Sequence, residues 1–355
     1  MNITIVGMGH AGTTVAADLT LKGHKITLLK TSNSMHKDHH KYVMENKQIK
    51  ILENNVDRCA EIYKVTDNFE NAFEEAELVI IFIQTNYHEQ LITKMVPYLK
   101  NGQIVLIEPG YLSTSYFVPY CKEKNLTIVE AESSPIDCRI VSPGSVEVLF
   151  RNVRNPIGVY PKKQQIFVEE LLETLEYNFI FTDSVIEAAL HNPNLIVHTV
   201  GAIMSIPRIE YTNGEYWMYR EVFTPSVWNI VKQLDLEKMN VLSCLGYRRL
   251  PYVEACKERN SLDESRDALT VFFDYANNSS PKGPSIVNSR YITEDVPEGL
   301  VLLESLGCLL GVDTPTCTGL INCASAALQR DFRREGRTIE RLGKVSIDEI
   351  LNDQD

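Results

Sequence analysis

The chain has 355 residues, 44% of them apolar and 23% charged, the make-up of a globular protein with enough apolar material for two hydrophobic cores. Its formal net charge of -12 argues against a nucleic-acid partner and favours small-molecule ligands. The eight cysteines show no CxxC pair and no repeated zinc spacing, no apolar run approaches the length of a membrane span, and no basic leader precedes the first strand. A cytoplasmic protein with reduced thiols and no membrane partner is expected.

In chain order, apolar runs of strand length fall at 3–6, 25–29, 78–83, 104–107, 127–130, 146–150 and 157–160, alternating with amphipathic stretches. That alternation predicts a parallel α/β sheet. Residues 164–175 place Phe167, Val168, Leu171, Leu172 and Leu175 at helical period, and a last short strand is expected at 178–182. From Ser184 onward long helical patterns take over, at 185–204, 226–245, 297–310 and 318–332. The stretch 270–290 carries Asn277-Asn278-Ser279-Ser280-Pro281-Lys282-Gly283-Pro284 and is expected to be a loop. The predicted fold is therefore an α/β Rossmann-type doubly wound sheet over residues 1–184, followed by an all-helical domain over 185–355.

The first strand runs into Gly7-Met8-Gly9-His10-Ala11-Gly12, a GxGxxG turn that opens a helix bearing Val15, Ala16 and Leu19 on one face. In such a turn the first glycine makes the tight bend and the second lets the backbone approach a pyrophosphate. The third lets helix and strand pack closely, and the helix N-terminus faces the phosphates. Gly7, Gly9, His10, Ala11 and Gly12 are thus expected to hold a dinucleotide. At the end of the second strand, where NAD-preferring sites place a carboxylate, this chain has Lys30-Thr31-Ser32. A cation and two hydroxyls suit a 2′-phosphate, so NADP(H) is expected over NAD(H). The bland reading of Lys30 is a solvated charge at a strand end. Gln84 and Thr85 follow the strand at 78–83 and should sit at the same sheet edge, and Glu108-Pro109-Gly110 follows the next strand, where it would border a nicotinamide or simply form a turn. The run His36-Lys37-Asp38-His39-His40 offers no defined ligand set and is expected to be exposed loop, with no metal bound.

In the second half, His191, Asn194, Leu195 and His198 share one face of a predicted helix. A lone helical histidine is ordinarily structural, and spacing alone does not lift His198 above that. Three segments do more: His191-Asn192-Pro193-Asn194-Leu195-Ile196-Val197-His198, Thr224-Pro225-Ser226-Val227, and Arg290-Tyr291-Ile292-Thr293-Glu294-Asp295-Val296-Pro297. In order and content they resemble the signature segments of the octopine/opine dehydrogenase family. The resemblance extends from the glycine-rich turn to Gly336-Arg337-Thr338-Ile339-Glu340-Arg341-Leu342-Gly343.

That resemblance implies a Rossmann domain coupled to a helical domain, and NAD(P)H-dependent reductive condensation of an amino acid amine with an α-keto acid. Pyruvate is the keto acid the family suggests. It further implies that His198 and Asp295 form the acid–base pair and that Arg290 grips a substrate carboxylate. The chemistry suits those residue types. Amine attack needs an unprotonated nitrogen and loss of water needs a proton donor, both within reach of a histidine. A neighbouring carboxylate fixes the imidazole tautomer, and a guanidinium presents a planar fork to a carboxylate. Without the resemblance, Asp295 would read equally well as a helix cap and Arg290 as an ordinary ion-paired surface residue.

Two rival functions fit the same domain order. A ketopantoate-type α-keto acid reductase would use the same domain order but is expected to rely on a lysine, and none lies between Ser184 and Pro207. A nucleotide-sensing regulator without turnover would need no acid–base pair. Apolar helical faces also leave a homo-oligomer open.

Overall fold

The strongest apolar runs become the central strands of the first unit. In the computed structural model, which describes residues 1–32 and 35–353, Leu78–Ile81 and Ile104–Ile107 are buried along their whole length. Both faces of these strands are covered, as the absence of polar alternation requires.

The strands are β1 (Asn2–Val6), β2 (Lys25–Leu29), β3 (Gln48–Glu53), β4 (Val56–Glu61), β5 (Lys64–Thr66), β6 (Leu78–Ile81), β7 (Ile104–Ile107), β8 (Thr127–Ala131), β9 (Ile136–Ser142), β10 (Ser145–Arg151), β11 (Asn155–Tyr160) and β12 (Phe179–Phe181). Eight of them form one sheet in the order β12-β11-β8-β7-β6-β1-β2-β5. From β5 to β8 every neighbouring pair is parallel. The order turns back at β1, whose neighbours β2 and β6 lead to opposite ends of the sheet. This is the Rossmann-type arrangement, in which nucleotides bind beyond the carboxyl ends of the strands at the reversal.

Two features depart from a purely parallel sheet. β11 runs antiparallel to β8, and β12 pairs with it in parallel. The strand expected at 146–150 forms, but in a separate sheet of order β4-β3-β10-β9. That sheet mixes a parallel β3/β10 pair with antiparallel β3/β4 and β9/β10 pairs. It packs on helix His10–Leu21, and Arg151 at the end of β10 bonds Asp18 of that helix at 2.7 Å. Its strands bury few residues, among them Ile49, Ile51 and Ala60, between exposed Lys, Arg and Glu, which explains why their apolar signal is weak.

The chain divides into two compact units, the second being Ile186–Asp348. The expected continuation of the helical domain to residue 355 is corrected at its end. The chain from Glu349 belongs with the first unit, where Glu349 accepts from the Tyr160 hydroxyl at 3.4 Å and Asp353 from the Lys162 amide at 2.7 Å.

Described by itself, the second unit is helical. The helix expected over 185–204 is two, Val185–Leu190 and Pro193–Met204. Asn192 caps the second by accepting from the Asn194 amide at 3.0 Å, and Pro193 occupies its first turn. His191 therefore lies in the break and not on the helix face with His198. The expected loop at 270–290 is also shorter. Asp267 caps a helix Ala268–Asn278 by accepting from the Thr270 amide at 2.9 Å, so Asn277 and Asn278 form its last turn. A deeply buried ion pair, Arg337 with Glu298, anchors the chain that follows helix Phe332–Glu335.

Candidate active site

The glycine turn is built as its sequence requires. Gly7 has φ +112°, closed to side-chain-bearing residues, and its amide donates to the Leu29 carbonyl at 2.9 Å. A Cβ at Gly12 would fall on the Gly7 carbonyl oxygen, so helix and strand approach as closely as backbone allows. A Cβ at Gly9 would meet nothing within 4 Å. Gly9 also precedes the first turn of helix His10–Leu21, whose leading amides lack intrahelical acceptors. Open space in front of such amides, at the reversal of the sheet, fits a pyrophosphate.

β2, β1 and β6 are adjacent and parallel, so residues following them share one sheet edge. Lys30 follows β2 directly, its amide bonded to the Thr66 carbonyl at 2.9 Å, with Thr31 and Ser32 next. Gln84 and buried Thr85 follow β6 at that same edge. Glu108 follows β7 and is buried, with one carboxyl oxygen unpartnered, and burial pushes its acid well above the usual carboxylate range. His88, not anticipated, bridges the Ile83 carbonyl at 2.8 Å and the Ser113 hydroxyl at 2.7 Å just beneath this edge.

The histidine run is not an exposed loop. Residues Lys37–Asn46 form a helix, and His39 and His40 are buried. His39 accepts from the Gly144 amide at 3.2 Å, which leaves its other nitrogen to donate to the Thr13 hydroxyl at 3.1 Å. His40 donates to the carbonyl of Met8, inside the glycine turn, at 3.0 Å. His10 accepts from the Ile140 amide of β9 at 2.9 Å, and the His36 ring lies 4.8 Å from it. Burial first, then the neighbouring imidazoles, brings His39 down to about 4, a neutral ring suited to bridging a donor and an acceptor. These histidines brace the turn, and no group that could hold a metal occurs among the described residues.

In the helical unit, His198 lies midway along helix Pro193–Met204 and is buried. Asp295, buried more deeply, accepts from its Nδ1 at 2.9 Å across 97 positions of sequence. With Nδ1 protonated toward the carboxylate, Nε2 becomes the nitrogen available for proton exchange. Asp295 directly precedes a π-helical turn, Val296–Leu300, with a helical backbone of its own, and makes no capping bond. Arg290 begins the short helix Arg290–Thr293, half exposed, with its Nε 3.1 Å from the buried carboxylate of Glu294. Tyr291, between the two, lies flat on the His198 ring, with centroids 3.8 Å apart and planes 6° from parallel. The sequence assigns no role to Glu294 or Tyr291. Their signal is the i, i+4 spacing to Arg290 for one and simple adjacency for the other.

His191 is buried away from this pair, its Nδ1 3.5 Å from Lys238 Nζ, while Lys238 is ion-paired to Asp235 at 2.8 Å. Burial holds His191 well below the ordinary histidine range, the mark of a structural residue.

Residues 182–328 match the family model of the NAD/NADP octopine/nopaline dehydrogenase alpha-helical domain, and residues 2–110 that of the NAD-dependent glycerol-3-phosphate dehydrogenase N-terminus. An opine dehydrogenase of Arthrobacter sp. (strain 1C) is 24% identical over 347 residues, covering 96% of this chain and 94% of its own. Among solved structures, octopine dehydrogenase with NADH and L-arginine superposes with a TM-score of 0.78 at 15% identity, over 100% of this chain and 98% of that one. NADP+-bound yersinopine dehydrogenase does so with a TM-score of 0.74 at 13% identity, over 100% and 98%. Residues 182–328 thus carry the octopine/nopaline dehydrogenase helical domain behind a glycine-rich nucleotide-binding unit, and along nearly its whole length the chain is similar to an opine dehydrogenase.

Proposed function

We propose that the protein is an NAD(P)H-dependent opine dehydrogenase, which condenses the amine of an amino acid with an α-keto acid and reduces the resulting imine to a secondary amine. The observation that carries this reading is the buried His198–Asp295 hydrogen bond. Bound at the glycine turn, the nicotinamide nucleotide supplies the hydride. His198 takes the proton that frees the amine for attack, and returns it to the carbinolamine hydroxyl as water departs. Asp295 keeps the proton on Nδ1 and stabilises the imidazolium formed between the two steps. Arg290, oriented by Glu294, presents its guanidinium to a substrate carboxylate, which fixes the keto acid before attack.

For the nucleotide, Lys30, Thr31 and Ser32 at the end of β2, with no carboxylate among them, favour NADPH over NADH. Pyruvate is the proposed keto acid. A lysine-dependent keto acid reductase is disfavoured, since Lys238 of the helical unit is buried and held by Asp235. The test is nucleotide oxidation with keto acid alone, with keto acid plus amino acid, and with neither, with mass spectrometry of the product. Turnover requiring both substrates is expected. His198→Ala and Asp295→Asn should each lower it by roughly 10²-fold or more while nucleotide still binds. Full activity with keto acid alone would replace the reading by simple reduction.

A further inference from the structure

The acid–base pair has a third member that chemistry does not require and packing alone does not explain. Asp295 fixes one nitrogen of His198, but a single hydrogen bond at 2.9 Å leaves the imidazole plane able to rock about the side-chain torsions. Such rotation carries Nε2 through an arc and spoils its aim. Tyr291 removes this freedom, since its ring covers one face of the imidazole at 3.8 Å and 6°. Aromatic pairs usually prefer offset or edge-on contacts, and other ring pairs in the helical unit are inclined by 38° to 85°, whereas this one is nearly parallel at close range.

The attachment of Tyr291 is itself short and stiff. It lies four residues before Asp295, on the one-turn helix that leads into the π turn, so one segment supplies both the carboxylate and the covering ring. That helix packs against Pro193–Met204, which carries His198. A phenol face also attracts the imidazolium that His198 becomes when it holds the substrate's proton, and does so more strongly than it attracts the neutral ring. The stack therefore favours the charged intermediate as well as the ring's plane.

We infer that Tyr291 is a positioning residue for the proposed reaction, clamping His198 face-on so that Nε2 is held on line with the reacting nitrogen and oxygen. This rests on the assignment of His198 as the acid–base group. The part that acts is the ring face, so a phenyl ring should serve and an aliphatic side chain should not.

The experiment compares Tyr291→Phe and Tyr291→Leu in the full-length protein, by steady-state kinetics and by NMR of the histidine ring protons. Among the eight histidines, the His198 signals are those missing from His198→Gln. A ring held flat against an aromatic face is shielded by its ring current, so the His198 signals should lie upfield in the wild type and in Tyr291→Phe, and return toward ordinary positions in Tyr291→Leu. Tyr291→Leu should lose roughly tenfold in kcat with KM for keto acid and nucleotide within about twofold, and Tyr291→Phe should stay within about twofold of wild type throughout. Loss of the shielding in Tyr291→Leu with kcat unchanged would overturn the inference, as would unshielded His198 signals in the wild type. If His198→Gln keeps full turnover, the assignment of His198 fails, a result the shielding pattern does not touch.

Discussion

His39 offers the sharpest test of how the nucleotide-binding turn is supported. Its folded value near 4 lies below its ordinary 6.5 because the ring is buried beside His40 and His36. A histidine kept neutral by folding takes up a proton only on unfolding. Its contribution to stability is therefore whole above about pH 6.5 and drains as pH falls toward 4. The loss amounts to about 1.4 kcal/mol for each pH unit in that window, or about 3 kcal/mol across it. Glutamine at this position retains an acceptor for the Gly144 amide and a donor for the Thr13 hydroxyl but does not titrate. Amide hydrogen exchange, corrected for intrinsic rates, would follow the protection of β1 and helix His10–Leu21 from pH 7 to about pH 4.5. Protection in the wild type should fall away from that of His39→Gln as the pH drops, because His40 and the other titrating groups are common to both. Parallel curves would refute the burial argument for His39 and, with it, the view that this imidazole is a neutral brace.

The glycine turn separates two kinds of constraint. Gly9→Ala should leave stability within about 0.5 kcal/mol, since its Cβ meets nothing, and yet weaken nucleotide binding by tenfold or more in a fluorescence titration. Gly12→Ala drives a methyl into the Gly7 carbonyl and should cost about 1–3 kcal/mol in thermal or denaturant unfolding even without nucleotide. At the other end of the cofactor site, Lys30→Glu replaces a cation by a charge that repels a 2′-phosphate. The ratio of NADPH to NADH efficiency should fall by about tenfold or more, equivalent to the loss of one charge-assisted bond.

How far the sequence reveals this depends on how local the determining force is. β2 and β7 coincide with their apolar runs because each is read from its own residues. The small sheet is only partly visible, since none of its four strands is more than partly buried and their buried apolar positions are few. The break at His191-Asn192 is in fact signalled, for Asn-Pro is a helix-start pattern, but the apolar residues on both sides suggest one continuous helix. The histidine run misleads for a different reason. Its Asn, Ser and Lys neighbours suggest solvent, while the partners that bury it, Met8, Thr13 and Gly144, lie 26 to 105 positions away. The same distance hides the His198–Asp295 pair, which spacing does not link and family resemblance does.

The bland reading of Asp295 as a helix cap can be weighed against the molecule's own habits. Asn68, Asn192, Asp267, Asp331 and Thr338 all stand at N-cap positions, and each accepts a backbone amide from the following turn. Asp295 differs from them in its backbone, which is helical at φ -73° and ψ -24°, so its side chain is not placed to cap and makes no such bond. A capping bond worth about 1 kcal/mol is therefore not the reason for this carboxylate, which accepts from His198 instead. The gain in stability from a bond to an imidazole that is neutral for part of its cycle is no larger than that of an ordinary hydrogen bond. On the proposed mechanism, what the arrangement secures is the tautomer and aim of His198, with Tyr291 on the ring face. A carboxylate buried in a polar pair at a helical position where it caps nothing is where function is expected to have overridden folding.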